Sequence, residues 1–200
     1  MDSIYNAIKN RIEHFEPGTV FLTGEFSDVA KNATIRKTLG RLCETGLIRR
    51  VLDGVYEKPK YSRLLKEYIP TDPDAAAHAI ARYYHWNIAP SGNVALNMLK
   101  LSTQVPVVWT YVSDGPYRNY SSDNFKISFK HRTNRDISGM SPITTLVIEA
   151  FKTLGKAYVD DSIISKLKSE LSPQDKKTIL SESSNSYEWI NNVIQEVCST

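Results

Sequence analysis

The chain has 200 residues and a mass of 22.6 kDa, with 41% hydrophobic and 24% charged residues, which is ordinary for a soluble globular chain of one or two domains. Nine Gly and nine Pro exclude a collagen-like or low-complexity chain, and no apolar run approaches the ~20 residues that span a bilayer. The net charge of +3 is unevenly spread: residues 1–30 carry two cations against five carboxylates, and residues 31–60 carry eight against three. A compact basic block is the electrostatic footprint of a phosphate backbone, although such a run also serves as a solvated face. The first residues, Met1 to Asn6, lack the basic-then-apolar pattern of a secretory leader, so a cytoplasmic chain without a membrane partner is expected. Cys43 and Cys198 are then read as separate reduced thiols.

Ile4, Ile8, Ile12 and Phe15, with Ala7 beside them, follow one face of a first helix that Pro17-Gly18 ends. Thr23 caps a short helix from Gly24 to Ala30, and Asn32 caps a longer one to about Glu44, stopped at Thr45-Gly46. Asp53-Gly54 between Leu47–Leu52 and Val55–Lys58 is a strong hairpin signal. Helix, short helix, longer helix, hairpin is the layout of a winged helix-turn-helix. In that layout the third helix enters the major groove.

On a helical wheel, Ile35, Leu39, Leu42 and Cys43 share an apolar side, opposite Ala33, Thr34, Lys37, Gly40, Arg41 and Glu44, with Arg36 on the flank. Lys37 and Arg41 can bind phosphate or guanine, and Thr34 phosphate or a thymine methyl. Gly40 costs roughly 1 kcal/mol in a helix interior and needs a reason, such as backbone approach to a helix or to DNA. The candidate DNA-binding set is Asn32, Ala33, Thr34, Arg36, Lys37 and Arg41 on this helix, with Arg49, Arg50, Lys58 and Lys60 on the hairpin. A two-residue loop pairs Arg50 with Glu57 and sets Arg49 opposite Lys58, a cation pair that a phosphate would relieve.

Tyr61 to Ile69 reads as a linker, partly helical, so the expected division is 1–60, a linker at 61–70, and a second domain at 71–200 with a helical tail at 160–200. Thr71-Asp72-Pro73-Asp74 opens a helix over Ala75–Trp86, and Pro90-Ser91-Gly92 precedes one at Asn93–Leu101. Val105–Val112 and Asn124–His131 read as strands, with a turn at Asp114-Gly115-Pro116. Ser141-Pro142, Asp160 and Ser172-Pro173 open further helices, and Ser186–Val197 forms a last one. The fold class is therefore α+β, an N-terminal winged helix followed by a mixed α/β domain with a small sheet and several helices.

Catalytic signals are sparse. His14, His78, His85 and His131 form no cluster with metal-ligand spacing, and neither a phosphate-binding glycine loop nor a nucleophile elbow is present. No catalytic residue, metal or cofactor is expected. Two rivals to a DNA-binding regulator remain. One is a small enzyme whose pocket joins Ser91, Asp114 and His131; the other is an interaction module whose winged helix packs on a protein.

Pro90-Ser91-Gly92, the string Leu101-Ser102-Thr103-Gln104-Val105-Pro106 and Ser113-Asp114-Gly115-Pro116, together with the hairpin end Gly54-Val55-Tyr56, resemble the AbiEi-like antitoxin family, in its short branch DUF6088. The likeness runs over about residues 1–170, and the Leu-Ser-Thr-Gln-Val-Pro string is its most specific part. It implies a winged helix that binds double-stranded operator DNA, as a homodimer, and represses its own operon. It also implies a C-domain that neutralises a co-encoded, nucleotidyltransferase-like toxin without requiring a stable complex. Ser91, Gly92, Ser102, Thr103, Gln104, Asp114 and Gly115 look like that domain's shared functional motifs. The family often carries a basic residue before the hairpin glycine, whereas this chain has Asp53, which a phosphate-lined groove repels.

Overall fold

The computed structural model describes residues 2–122, 124–132 and 139–199, an α+β arrangement of helices and small sheets. It divides into two compact units, residues 1–86 with 120–124, and 87–119 with 125–200. The division at 86/87 counts the helix after Asp72 with the first unit.

In the first unit, α1 (Asp2–Glu13) leads into β1 (Val20–Leu22), a 3-10 turn at Thr23–Phe26, α2 (Asn32–Glu44), β2 (Arg49–Leu52) and β3 (Val55–Glu57). The three strands form one antiparallel sheet in the order β1-β3-β2. Ile8, Ile12, Phe21, Phe26, Ile35, Leu39, Leu42, Ile48 and Tyr56 are its core. Phe21 is central, with the rings of Phe15, Phe26 and Tyr56 at 5.3, 5.7 and 6.1 Å. Aromatic contacts of this kind add stability beyond the area buried.

Three expectations need correction here. A strand, β1, stands where none was expected. The short helix is a 3-10 turn that starts at Thr23 with Leu22 as its cap residue, and the Thr23 hydroxyl instead donates to the Gly54 carbonyl at 3.2 Å. Residues 61–68 are not helical. They form a two-stranded ribbon, β4 (Tyr61–Ser62) and β5 (Glu67–Tyr68). Next comes α3 (Pro73–Tyr84), with the Asp72 carboxylate accepting from the Asp74 amide, and it packs on β1. The helix ends at Tyr84, two residues short of Trp86, with His85 as its left-handed cap residue (φ 56°).

The second unit holds β6 (Ile88–Pro90), β7 (Val108–Ser113), β9 (Lys126–His131) and the start of β8 (Arg118–Ser121), in a sheet of order β6-β7-β9-β8. β6 pairs antiparallel with β7, and β7 pairs in parallel with β9, Val108 opposite Lys126. β6 and β8 were not anticipated. α4 (Asn93–Met98) and α5 (Pro142–Leu154) are followed by α6 (Asp161–Glu170), α7 (Pro173–Glu182) and α8 (Glu188–Cys198). Val147, Ile148 and Phe151 of α5 meet Leu167, Ile179, Ile190 and Ile194 in one apolar cluster. The caps are those expected: Ser141, Asp160 and Ser172 each accept an amide from the first turn. Among the described residues, no helix is long and apolar enough to cross a membrane.

Glu182 ties α7 to the start of α5, accepting from the Ser141 amide at 2.8 Å and its hydroxyl at 2.6 Å. Burial raises the Glu182 carboxyl, but hydrogen bonds from Ser141 and Thr144 together outweigh it and leave the group below its ordinary range. A depressed folded-state value means that stability is fully present above the ordinary Glu range and is lost as pH falls through the lowered value. Glu182→Ala is expected to cost about 1–3 kcal/mol near neutral pH, read by urea unfolding. The cost should shrink as pH falls through that lowered value.

Candidate nucleic-acid interface

The candidate surface is built on α2. Ile35, Leu39 and Leu42 are buried at one-turn spacing and fix the rotation of the helix. Thr38 is buried with them, a position the wheel reading passed over although it lies one turn from both Ile35 and Leu42. The opposite side presents Ala33, Thr34, Arg36, Lys37, Arg41 and Glu44 to solvent. Among the described residues, the side chains of Arg36, Lys37 and Arg41 make no hydrogen bond and no ion pair. Cys43 is half-buried at the edge of the core, and burial pushes its thiol up, away from thiolate chemistry.

The N-terminus of α2 differs from expectation by one residue. Lys31, not Asn32, is the cap residue; no side chain caps the helix, and no carboxylate lies in its first turn. Asn32 is exposed inside that first turn. The end therefore presents backbone N–H groups and the positive end of the helix dipole, and Lys31 at the cap position is exposed. Lysine is a poor helix cap, so the local rule pointed to Asn32 instead. Gly40 shows no atom within 4 Å of where a β-carbon would stand. Close approach to a neighbouring helix thus does not account for it, and the surface around it is open.

The hairpin residues behave otherwise. The expected register is wrong by one position. Leu52 faces Val55, but an irregularity between Arg50 and Leu52 sets Arg50 opposite Tyr56 and Arg49 opposite Glu57. The extra residue is Val51, so the ladder is that of a bulged hairpin. Arg49 is not stacked on Lys58. Its Nε donates to Glu57 Oε2 at 2.6 Å and its guanidinium also to the Ile69 carbonyl at 2.6 Å. Glu57, 3% exposed, accepts from the Thr71 hydroxyl as well. Arg49 thus balances a buried carboxylate and requires no phosphate.

Lys58 is likewise engaged. Its ammonium donates to the carbonyls of Glu13 and Phe15 at 2.7 and 2.6 Å, closing the C-terminal end of α1. Arg50 is exposed and ion-paired with Asp53 at the hairpin tip. The exposed Lys60 has its stem beside Gly18. The ten expected DNA-binding residues therefore separate into six exposed on α2, two at exposed hairpin positions (Arg50 and Lys60), and two committed inside the fold (Arg49 and Lys58).

The second-unit motifs close turns and strands. Ser91 donates from its hydroxyl to Glu149 at 2.8 Å, and Lys152 donates to the other oxygen of Glu149 at 3.0 Å. Gly92 occupies a positive φ of 61° at the entry to α4. Asn97 donates from its amide to the Ser102 and Gln104 carbonyls, and the Ser102 hydroxyl accepts the Gln104 amide. Thr103 is exposed. Asp114 accepts from the backbone and side chain of Asn87 at 2.9 and 2.7 Å. His131 Nδ1 donates to the Gly115 carbonyl at 2.9 Å. Ser91, Asp114 and His131 each have a different partner. A cleft of about 650 Å³, lined by residues that include Arg132, Lys152, Glu182 and Tyr187, includes none of the three.

No curated protein matches the chain. The model of DUF6088, described as a family of unknown function, matches residues 7–179. That span takes in the first unit's core, the α2 surface, the Ser91, Ser102 and Asp114 motifs and the helices through most of α7, and the chain belongs to the DUF6088 family.

Proposed function

We propose that the chain is a DNA-binding transcriptional autorepressor and the antitoxin of a co-encoded toxin. The first unit is read as a winged helix-turn-helix: α1, the 3-10 turn, α2 and the β2–β3 hairpin follow in that order, with β1 completing the sheet. α2 lies in the major groove with Arg36, Lys37 and Arg41 outward, Thr34 and Ala33 against base edges, and the uncapped end with Lys31 at a phosphate. The observation that carries the reading is that outward face: three unpaired cations interleaved with small residues on a helix held by a full core on its other side. Asp53, paired with Arg50, takes the hairpin tip out of the contact set.

The antitoxin role rests on the likeness of the second-unit motifs to AbiEi-like proteins. On this reading the chain acts in the cytoplasm, as a homodimer on its operator, against a nucleotidyltransferase-like toxin with or without stable contact. A promoter–reporter fusion tests the first half: the chain supplied in trans should lower expression from its own upstream region, and Lys37→Ala with Arg41→Ala should restore it. Co-expression with the neighbouring toxin tests the second, growth being rescued by the wild-type chain. An unrepressed reporter with folded protein present removes the regulatory reading.

Gly40 offers a variant in which stability and binding move in opposite directions. Gly40→Ala is expected to stabilise α2 by up to about 1 kcal/mol, since the added methyl meets nothing inside the protein. The same methyl should weaken DNA affinity severalfold, because it stands where the backbone approaches the groove. Thermal melts and anisotropy titrations of one preparation read both.

A further inference from the structure

The ribbon β4–β5 has no place in the reading so far, yet it is the least ordinary surface of the first unit. Four large apolar side chains on eight consecutive residues are exposed: Tyr61 51%, Leu64 91%, Leu65 62% and Tyr68 59%. Isolated two-stranded ribbons are marginal in water, and this one is held by defined contacts. Tyr61 pairs with Tyr68 across the strands, rings edge-to-face at 5.2 Å. The Ile69 amide donates to the Lys60 carbonyl at 2.8 Å, and Arg49 clamps the Ile69 carbonyl from β2.

The tip is a four-residue turn, Arg63-Leu64-Leu65-Lys66, in which the Leu65 amide donates to the Ser62 hydroxyl and Lys66 sits at φ 55°. A lysine in the left-handed region is strained where glycine would be free. The turn keeps a cation at that cost. Arg63 and Lys66 flank the leucines, and their side chains form no hydrogen bond or ion pair among the described residues.

We propose that this ribbon is a second DNA-contacting arm, its Leu64-Leu65 tip entering a minor groove to wedge at a base step while Arg63 and Lys66 hold the flanking phosphates. The inference rests on the DNA-binding reading above and extends it to a surface outside the helix-turn-helix. Apolar wedges beside cations are how proteins unstack and bend a duplex from the minor groove. Charge complementarity selects this occupant: Lys60, Arg63 and Lys66 stand against the single carboxylate Glu67. A second copy is a poorer fit, because one turn and two tyrosines offer less than the roughly 1,000 Å² that a stable interface takes.

The test uses the full chain and a duplex from upstream of its own coding sequence, dye-labelled at both ends, with bending read by energy transfer and affinity by anisotropy. The wild type is expected to shorten the end-to-end distance. Leu64→Ser with Leu65→Ser should bind about tenfold more weakly, leave the DNA nearly straight, and keep the salt dependence. Lys66→Gly suits the turn, so it should fold at least as well, yet it should lower the salt slope by about one. A double-serine variant that binds and bends like the wild type would overturn the arm while leaving the α2 reading intact. So would one that bends normally but loses an oligomer by light scattering, which would mark the tip as a protein contact. A wild type that binds no DNA would overturn both readings at once.

Discussion

Lys37→Ala combined with Arg41→Ala should lower affinity for upstream DNA by about 100-fold or more, with the unfolding transition unchanged. Each good bidentate base contact discriminates by ~1–3 kcal/mol, and exposed substitutions that touch nothing shift stability by at most ~0.5 kcal/mol. Both side chains fit that second description: each is exposed and without a partner among the described residues. The single variants would divide the roles. If Arg41 reads a guanine, Arg41→Ala flattens preference at one base position; if Lys37 holds a phosphate, Lys37→Ala weakens all duplexes alike and reduces the salt slope. Undiminished affinity of the double variant would take α2 out of the groove.

The second large effect is on stability. Arg49 balances Glu57, whose side chain is 4% exposed, at 2.6 Å, and the Thr71 hydroxyl and Ile69 carbonyl complete the cluster. Arg49→Ala leaves a buried carboxylate with one hydroxyl, and removing one member of a buried pair costs about 3 kcal/mol or more. Urea unfolding should show that loss. Replacing both members, Arg49→Met with Glu57→Leu, should cost less than Arg49→Ala alone, since no charge is then stranded. This outcome separates the internal clamp from a phosphate contact, whose removal would leave unfolding unchanged and weaken all DNA equally.

What could be read from sequence follows the range of the forces involved. The C-terminal limit of α2, the Asp53-Gly54 turn and the Ser141, Asp160 and Ser172 caps are set by residues a few positions apart, and those could be read; the start of α2, with no side-chain cap, was off by one residue. Ile35, Leu39 and Leu42 define the buried side of α2 by the same local rule, so the outward cations were identifiable too. The bulge at Val51 was not, because it answers to Glu57, Ile69 and Thr71, up to 22 positions from Arg49 in the chain. Lys58 misled for the same reason; its partners are carbonyls at the end of α1.

Short strands were the other blind spot. Val20, Phe21 and Leu22 are all buried, so they show no alternation to mark a strand. Tyr61, Leu64, Leu65 and Tyr68 fall at i, i+3, i+4 and i+7, the spacing of a helix face, which agrees with a partly helical linker. With nothing in the first unit covering that stripe, the cross-strand tyrosine pair and the Arg49 clamp decide for a ribbon instead. A helical apolar period specifies a helix only where a core exists to receive it.

We propose above all that α2 presents its cations to operator DNA. Fluorescence anisotropy with the purified chain, a duplex from upstream of its own coding sequence and a scrambled duplex, each titrated with salt, tests it most directly. Tighter binding to the upstream duplex is expected, with log affinity falling linearly with log salt at a slope that reflects several phosphate contacts. Folded protein that binds neither duplex at low salt would contradict it, and the basic face of α2 would then be a protein-contact surface.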